Sequence, residues 1–533
     1  MNELAARIRG AVHAAVGHDS AVAHVTGAAR YLDDVPVVPG TLEAALVLSP
    51  HAHARIRRVD LSAARAAPGV VAAITAADIP GKNDIAPIRS DEPALAADVV
   101  EYDGQPDTAF RGYGGPQGML AIETIIEAIA RRLGLPVHIV RRRNFYGIGR
   151  NDITPYGMMV EDNSIERVVD ELDRTVDLAA WRRDIVNFNA LSPVVKKGLA
   201  TMPIKFGISF NRPALNQAGA LVHVYTDGSV VLNHGGTEMG QGLFIKVAQV
   251  VAEVFAIDLD HIRVSATSTA KVPNTSATAA SSGSDLNGMA ALNACQQIKA
   301  RMTEVAADHF AVPTDEIVFD SNRIYAGNRS LSFAELAALS WEKRVSLSAA
   351  GFYRTPEIHW DFATNTGRPF YYFVYGAAAA EVAIDSLTGE SRVLRAELIQ
   401  DCGRSLNPAI DLGQIEGAFV QGMGWLTTEE LWWDAEGRLR THGPSTYKIP
   451  GSRDLPPIFN ARLLEDAPNR AATIFRSKAI GEPPLMLAIS VWLAIRDAIA
   501  SLADHRLAPR LDAPATPERV LAAIEELGTR RKG

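Results

Sequence analysis

Glu482 sits in the stretch KAIGEPPLM, Lys478 to Met486. Pro483 and Pro484 restrict the backbone on one side of it, and Gly481 relieves crowding on the other. An apolar helix is expected to start near Pro484. A carboxylate held rigidly beside apolar side chains suits a general base working near neutrality. An acid beside prolines also opens many helices without doing chemistry, because the first turn favours both residue types.

Three further segments carry glycines and small residues. HGGTEMGQGLF, residues 234 to 244, lies between an expected strand and an expected helix. Gly235, Gly236, Gly240 and Gly242 let backbone N–H groups approach a phosphate or a flat polar heterocycle. Gln241 offers both a donor and an acceptor to a heterocycle edge. A tight strand-to-helix turn needs similar glycines. VPNTSATAASSGSDLNG, residues 272 to 288, is small throughout from Thr278 to Ser284. Small residues at a helix start expose several N–H groups to an anion; capping by Ser284 or Asp285 alone needs only one such residue. FRGYGGPQG, residues 110 to 118, places glycines around Arg111, which can pair an anion or simply decorate a surface loop.

Other chemistries lack their patterns. No HExxH, GxSxG or P-loop occurs. Gly240-x-Gly242 has no third glycine at the spacing of a dinucleotide fingerprint. His51 and His53 alternate along an expected strand edge without a third ligand, which reads as surface. The cysteines are only two, Cys295 and Cys402, too few for an iron–sulfur cluster or a structural zinc. Cys295 falls in an apolar helical run and reads as core. Such cysteine use suits a reducing, cytoplasmic compartment.

The chain has 533 residues, 47% of them hydrophobic, with a formal net charge of −8. That length suggests roughly three to four domains or subdomains. The charge argues against nucleic acid or an anionic membrane as the main partner, and Arg141, Arg142 and Arg143 read as a solvated helix end. The first twenty residues make a poor signal peptide. The longest apolar stretch, Pro483 to Ile495, is short for a membrane span. A soluble, non-exported protein is expected.

The elements that must hold these segments can be read in outline. Thr41 to Leu48 and Val70 to Ile74 fit short strands, with a short helix over Ser62 to Ala67. Gly104 to Asp107 is a turn signal and a boundary. Met119, Ile122, Ile126, Ile129 and Leu133 fall at helical spacing, stopped by Gly134 and Pro136. Lys196 to Gly198 reads as a polar joint. Residues 218 to 234 form two strands joined at Asp227-Gly228, followed by a helix from about Leu243 to Phe255. Ala380 to Asp385 and Ser391 to Ile399 bracket a turn at Thr388-Gly389.

Taken together, the four segments resemble the large subunit of the xanthine dehydrogenase/aldehyde oxidase family. KFGISF (205–210), NQAGALVHVYTDGSV (216–230), GFYRTP (351–356), LNPAIDLGQIEGAFVQG (406–422), GPSTYKIPG (443–451) and LDAPATPERV (511–520) extend the likeness. ARYLDD and SPHAHARI resemble the family's N-terminal hammerhead-like domain. The resemblance implies an α+β chain. A tail (1–18) precedes a hammerhead-like α/β domain (19–106). A truncated two-part molybdopterin-binding domain of mixed sheets and helices follows, over 107–200 and 201–533.

The resemblance also implies a site. Molybdenum with a sulfido ligand would be carried on molybdopterin. Gly240, Gln241, Gly242, Arg111, Gly112, Ala280, Ser281, Ser282, Ser284 and Gln414 would hold that cofactor. Arg111 and Ala280 would lie against the metal without being side-chain ligands. Tyr113, Phe210 and Ala279 would face a flat purine, and Glu482 would be the general base in hydroxylation of hypoxanthine or xanthine to urate. Electrons would leave to a partner subunit carrying 2Fe-2S clusters and FAD, in a hetero-oligomer containing a dimer of large subunits.

The chain departs from the pattern at one place. The family continues past Gly104-Gln105-Pro106 for a domain-sized segment, whereas Asp107 and Thr108 here lead straight into FRGYGG. The segment would bring a glutamine, a phenylalanine–glycine pair, and a glutamate and an arginine to the pocket. Tyr113 replaces the usual phenylalanine and Asn211 the usual threonine. The chain therefore reads as a working hydroxylase subunit, as an inactive binding or structural remnant, or as a hydroxylase for another aldehyde or N-heterocycle.

Overall fold

The computed structural model describes residues 8–86, 92–101, 109–265, 267–268 and 275–532. The turn at Gly104 to Asp107, the junction at Asp107-Thr108 and the start of the small-residue segment at Val272 lie outside them. The chain forms two compact units. One comprises Val22–Arg111 and Thr428–Ile449; the other comprises Met1–Ala21, Gly112–Thr427 and Pro450–Gly533.

The larger unit contains two four-stranded sheets. In chain order its main helices are α1 (Gly115–Leu133), α2 (Val137–Arg143), α3 (Ile165–Val176), α4 (Leu178–Leu191), α5 (Leu243–Phe255), α6 (Gly283–Phe310), α7 (Pro408–Thr427), α8 (Ile489–Ser501) and α9 (Pro517–Lys532). Its main strands are β1 (Val195–Ile208), β2 (Gln217–Val224), β3 (Val230–His234), β4 (Ile262–Val264), β5 (Ser348–Arg354), β6 (Tyr372–Asp385), β7 (Ser391–Gln400) and β8 (Ile458–Leu463). The first sheet runs β8-β7-β6-β1 and the second β5-β2-β3-β4.

Strands β1 and β6 pair antiparallel without a break from Ile208↔Tyr372 to Val195↔Asp385. The sequence boundary at 200/201 therefore falls inside a strand, and Lys196 to Gly198, expected as a joint, open that strand. Lys196 extends its ammonium to the carbonyls of Asn189 (2.8 Å) and Ser192 at the end of α4, a favourable place for a cation. Gly198 admits α8: a Cβ there would lie 2.0 Å from the Ala494 carbonyl oxygen. The second sheet repeats the device, since a Cβ on Gly351 would lie 2.0 Å from the Ala290 carbonyl oxygen of α6. The strand pairs around Asp227-Gly228 and Thr388-Gly389 form as expected.

The run Pro483–Ser501 is a short 3₁₀ turn leading into α8, longer than the apolar stretch read from the sequence. It is long and apolar enough to cross a bilayer, yet 89% of it is buried inside the fold, where Leu487, Val491, Ile495 and Ala498 join the main core. Another helix, α9, follows it. Cys295 and Cys402 are both buried, as a core reading requires.

Helix α1 forms and stops at Gly134 as expected, and of its expected apolar face Ile126 is buried and Met119 packs on the main core, but the rest of that face is exposed. Glu123 and Glu127 are buried, while Ile122, Ile125, Ile129 and Leu133 are 49%, 52%, 43% and 61% exposed. The acids are not stranded. Glu123 pairs with Arg141 at 2.7 Å, and Glu127 pairs with Arg131 and Arg496, each at 2.6 Å. Arg141 is thus an ion-pair partner 6% exposed rather than part of a solvated helix end. Periodicity alone registers apolar spacing; it does not see that Arg131 of the same helix and Arg141 and Arg496 of α2 and α8 pair with the acids.

The smaller unit differs in kind. Its regular structure includes a helix at Ser62–Ala66 and a two-residue ladder between Ala54–Arg55 and Val99–Val100. Thr41 to Leu48 and Val70 to Ile74 are not strands, and His51 and His53 lie in exposed bends. A strand needs a neighbour for its N–H and C=O groups, and the described residues offer these segments none. No described residue from 22 to 111 is buried; Val47 is 98% and Val37 77% exposed.

Two outcomes follow. Gly198→Ala should lower stability by ~3 kcal/mol through overpacking, read from the urea midpoint. Brief proteolysis should cut first in the described parts of 22–101 and leave β1 and β6 uncut; early cuts in β1 or β6 would contradict the burial pattern.

Candidate functional site

Glu482 occupies the turn before Pro483, and its half-buried carboxylate meets two other segments. Ser281 donates its hydroxyl to Glu482 Oε2 at 2.7 Å and accepts the Glu482 N–H at 2.8 Å. The Gly112 N–H donates to Oε1 at 3.2 Å. Each carboxylate oxygen still keeps a lone pair for a proton.

Local conformation explains how the chain reaches this point. Gly112 has φ +90°, and a Cβ there would meet the Pro116 ring at 2.8 Å. Tyr113 follows in the left-handed region at φ 55°. Ala280 and Ser281 are left-handed too, at φ 53° and 59°. Consecutive non-glycine residues in that region cost energy and persist only where the surroundings enforce them. Helix α6 then begins at Gly283 with Ser282 as N-cap and without a side-chain cap. The Ser282 hydroxyl turns back to the Ala279 carbonyl at 3.3 Å. The first turn of α6, Ser284 included, thus has no capping side chain, and a helix start of that kind suits an anion.

The glycine loop is joined to this segment. The Thr237 N–H donates to the Thr278 hydroxyl at 2.8 Å, and the Gly236 N–H donates to Asn287 Oδ1 at 3.1 Å. Its own N–H groups are largely used inside the loop. Glu238 accepts from Gly240 (2.9 Å), Gly242 (3.0 Å) and Phe244 (3.0 Å). The Gln241 side chain donates to the Thr237 carbonyl at 2.8 Å and accepts from the Met239 N–H. A Cβ on Gly240 would meet nothing within 4 Å, so the face of the loop at that glycine is open to a ligand. A Cβ on Gly242 would meet Ile410 at 2.8 Å, which sets α7 against the loop. Gln414 lies one turn further along α7. The buried Lys246–Asp411 ion pair ties α5 to α7.

The remaining expected residues are placed less closely. Tyr113 is 61% exposed. The Phe210 N–H donates to Asn216 Oδ1 at 2.8 Å, and the Asn216 amide returns a bond to the Phe210 carbonyl. Among the described residues Tyr113 and Phe210 make no ring contact with each other. Ala279 is exposed. Arg111 is the last residue of the smaller unit's first segment, and Gly112 begins the larger unit's second.

Sequence reasoning passed over several residues that build the site. Glu238 braces the glycine loop; its position just before two glycines and a helix was the available signal. Asn216 fixes Phe210. Lys478, 5% exposed, pairs with Asp401 at 2.7 Å and Asp162 at 3.0 Å, which anchors the start of the Glu482 segment. Asp285 is buried, and burial pushes its carboxyl up to about 7, against the opposing pull of the Tyr372 hydroxyl and of Lys246. His234 is buried, and desolvation lowers it to about 4; the neutral ring accepts the Gly236 N–H at 3.2 Å through Nδ1.

The Asp285 shift has a defined sign. A carboxyl raised from 3.8 to about 7 holds its proton in the folded state after the unfolded chain has released it. Stability should therefore fall as pH rises from about 4 to about 7 and level off above. Asp285→Asn should flatten that decline in denaturant midpoints measured across the range. An unchanged slope would count against the buried acid.

Comparison with known proteins gives this geometry a family. A model described as "Molybdopterin cofactor-binding domain" matches residues 171–456, more than half of the chain, and a second of the same description matches 89–145. A model described as "Aldehyde oxidase and xanthine dehydrogenase, a/b hammerhead domain" matches 26–109. The xanthine dehydrogenase/oxidase of Rattus norvegicus is 48% identical over 429 residues, covering 79% of this chain and 31% of that protein. The xanthine dehydrogenase of Dictyostelium discoideum is 47% identical over 420 residues, covering 78% and 29%. The chain thus spans about a third of the length of these relatives. Among solved structures, the CO dehydrogenase from Oligotropha carboxidovorans superposes with a TM-score of 0.70 at 20% identity, over 80% of this chain and 54% of that one; at that identity the likeness is one of fold. The quinoline 2-oxidoreductase from Pseudomonas putida 86 superposes with a TM-score of 0.68 at 25% identity, over the same shares. Both the α+β architecture and the cofactor-binding segments therefore place the chain in the xanthine dehydrogenase/aldehyde oxidase family, as a polypeptide built around its molybdopterin cofactor-binding domain.

Proposed function

We propose that the chain is the molybdenum-cofactor subunit of a hydroxylase that oxidises purines such as hypoxanthine and xanthine, with Glu482 as its general base. The observation that supports this reading most is the Glu482 carboxylate, held by Ser281 and Gly112 where three loop segments meet. The molybdenum cofactor, when bound, supplies a Lewis-acidic and redox-active centre that accepts two electrons from the substrate carbon. The uncapped start of α6, with Ala280, Ser281, Ser282 and Ser284, would hold the anionic part of that cofactor. Gly240, Gln241, Gly242 and Gln414 would line its pterin, and Arg111 and Ala280 would lie near the metal. Glu482 would take a proton from the attacking oxygen, its orientation set by its two donors. Tyr113, Phe210 and Ala279 would border the flat ring. A 2Fe-2S/FAD subunit would receive the electrons, in a cytoplasmic hetero-oligomer containing a dimer of this chain.

One observation favours a second reading, a catalytically impaired binding or structural subunit. Helix α1 exposes Ile122, Ile125, Ile129 and Leu133, and no described residue from 22 to 111 is buried. Apolar surface of that extent ordinarily carries a covering element. The absent segment near residue 107 would supply such a wall, together with groups that grip a purine. Without those groups, a different aldehyde or N-heterocycle is the corresponding variant of the first reading.

Co-expression with the family's iron–sulfur/FAD subunit separates these readings. The first predicts near-stoichiometric molybdenum and urate formation from xanthine. Glu482→Gln should then cut kcat by about 10²–10⁴-fold at unchanged metal content. Full molybdenum with no turnover on purines, aldehydes or N-heterocycles would leave the second reading standing.

A further inference from the structure

The segment from Ala479 to Glu482 is held by two hydroxyl groups that bond in the same manner. At its outer end, Ser281 Oγ donates to the Glu482 carboxylate and accepts the Glu482 N–H. At its inner end, Tyr372 Oη donates to Asp285 Oδ2 at 2.6 Å and accepts the Ala479 N–H at 2.9 Å. Ser281 and Asp285 flank the start of α6, and Tyr372 is the first residue of β6. Tyr372 is 5% and Asp285 8% exposed. Tyr372 thus bridges the first turn of α6 to the backbone three residues before the base.

We propose that Tyr372 is a positioning residue for Glu482, its hydroxyl locking the Ala479 N–H to the first turn of α6 so that the base and the uncapped helix start keep a fixed separation. The argument is one of geometry and cost. Ser281 is held in a left-handed conformation that does not persist unless its surroundings enforce it. Lys478 fixes the chain just before this segment, and Ser281 and Gly112 hold the carboxylate at its far end, but none of these contacts ties the Ala479 backbone to α6. The Tyr372 hydroxyl supplies that tie, on the same helix start that carries Ser281. Burial makes the inner clasp obligatory, because the phenol and the carboxylate have no water to replace each other. The proposal rests on the reading of Glu482 as the base, yet its structural content can be tested without turnover.

The experiment is hydrogen–deuterium exchange on the full chain, followed by mass spectrometry of peptides covering 109–116, 195–208 and 478–486. In Tyr372→Phe the Ala479 N–H loses its partner directly, so the informative amides are those of Glu482 and Gly112. They should exchange about tenfold faster while the β1–β6 ladder is unchanged. Unaltered exchange at Glu482 and Gly112 would overturn the proposal. Should Tyr372→Phe loosen the ladder as well, Asp285 supplies the decisive pair. Asp285→Asn keeps an acceptor for the phenol and should protect Glu482 as the unmodified chain does, whereas Asp285→Leu should release it. Equal exchange in those two variants would overturn the proposal. With the partner subunit present, Tyr372→Phe should lower kcat at least about tenfold and leave KM within about twofold, as misplacement of a catalytic group requires. Turnover that survives Glu482→Gln would refute the base assignment while leaving the exchange result to decide the positioning role.

Discussion

The paired hydrogen bonds between Ser281 and Glu482 are the constraint around which the larger unit is arranged. A hydrogen bond to a charged group contributes roughly 1.5–3 kcal/mol. A left-handed non-glycine residue costs on the order of 1–3 kcal/mol, and Ala280 and Ser281 are both of that kind. The interaction and the strain are therefore comparable, and the loop cannot hold itself. Rigid elements on either side must hold it. Helix α6 is seated by the close approach of Gly351 to Ala290, and α8 by that of Gly198 to Ala494. Gly481 leaves room for the contact, since a Cβ there would sit 3.1 Å from Ser281 Oγ.

The loops converge because buried polar groups tie them to these elements. Lys478 is fixed to Asp401, which also accepts the Ser164 hydroxyl at 2.7 Å. Lys246 is fixed to Asp411. Buried ion pairs of this kind add little net stability, because desolvation offsets their attraction, but breaking one leaves an uncompensated charge. They consequently select one arrangement of the loops over others of similar apolar burial.

Much of the scaffold was legible in local sequence. The turns at Asp227-Gly228 and Thr388-Gly389, the stop at Gly134 and the helix from Leu243 each rest on signals a few residues long, and each is present. Contacts between distant residues were not legible. Ser281 and Glu482 are 201 residues apart, and no spacing rule joins them. Lys196 to Gly198 resembled a joint because two lysines and a glycine are poor strand formers. Their pairing with β6 and the need for a bare Cα beneath α8 override that preference. Glu482 itself was ambiguous on local grounds, and the likeness to a family is what first set it apart. Its contacts with Ser281 and Gly112 depend on left-handed turns that the letters Ala, Ser and Tyr do not advertise.

The two units meet in sequence between Arg111 and Gly112, and they differ in how much buried apolar area supports them. Glu482, Ser281, Gly112, the glycine loop and α7 all belong to a unit with extensive cores. Arg111 belongs to a unit whose described residues from 22 onward bury no side chain up to that point. Ordering each residue costs roughly 1–2 kcal/mol of backbone entropy, and without buried apolar area little opposes that cost. The contacts of Glu482 with Ser281 and Gly112 are thus underwritten by their own unit. Order in the smaller unit depends on whatever covers Val37, Val47 and their neighbours. A polypeptide able to cover those side chains would give the smaller unit the buried apolar area that its described residues up to Arg111 do not have.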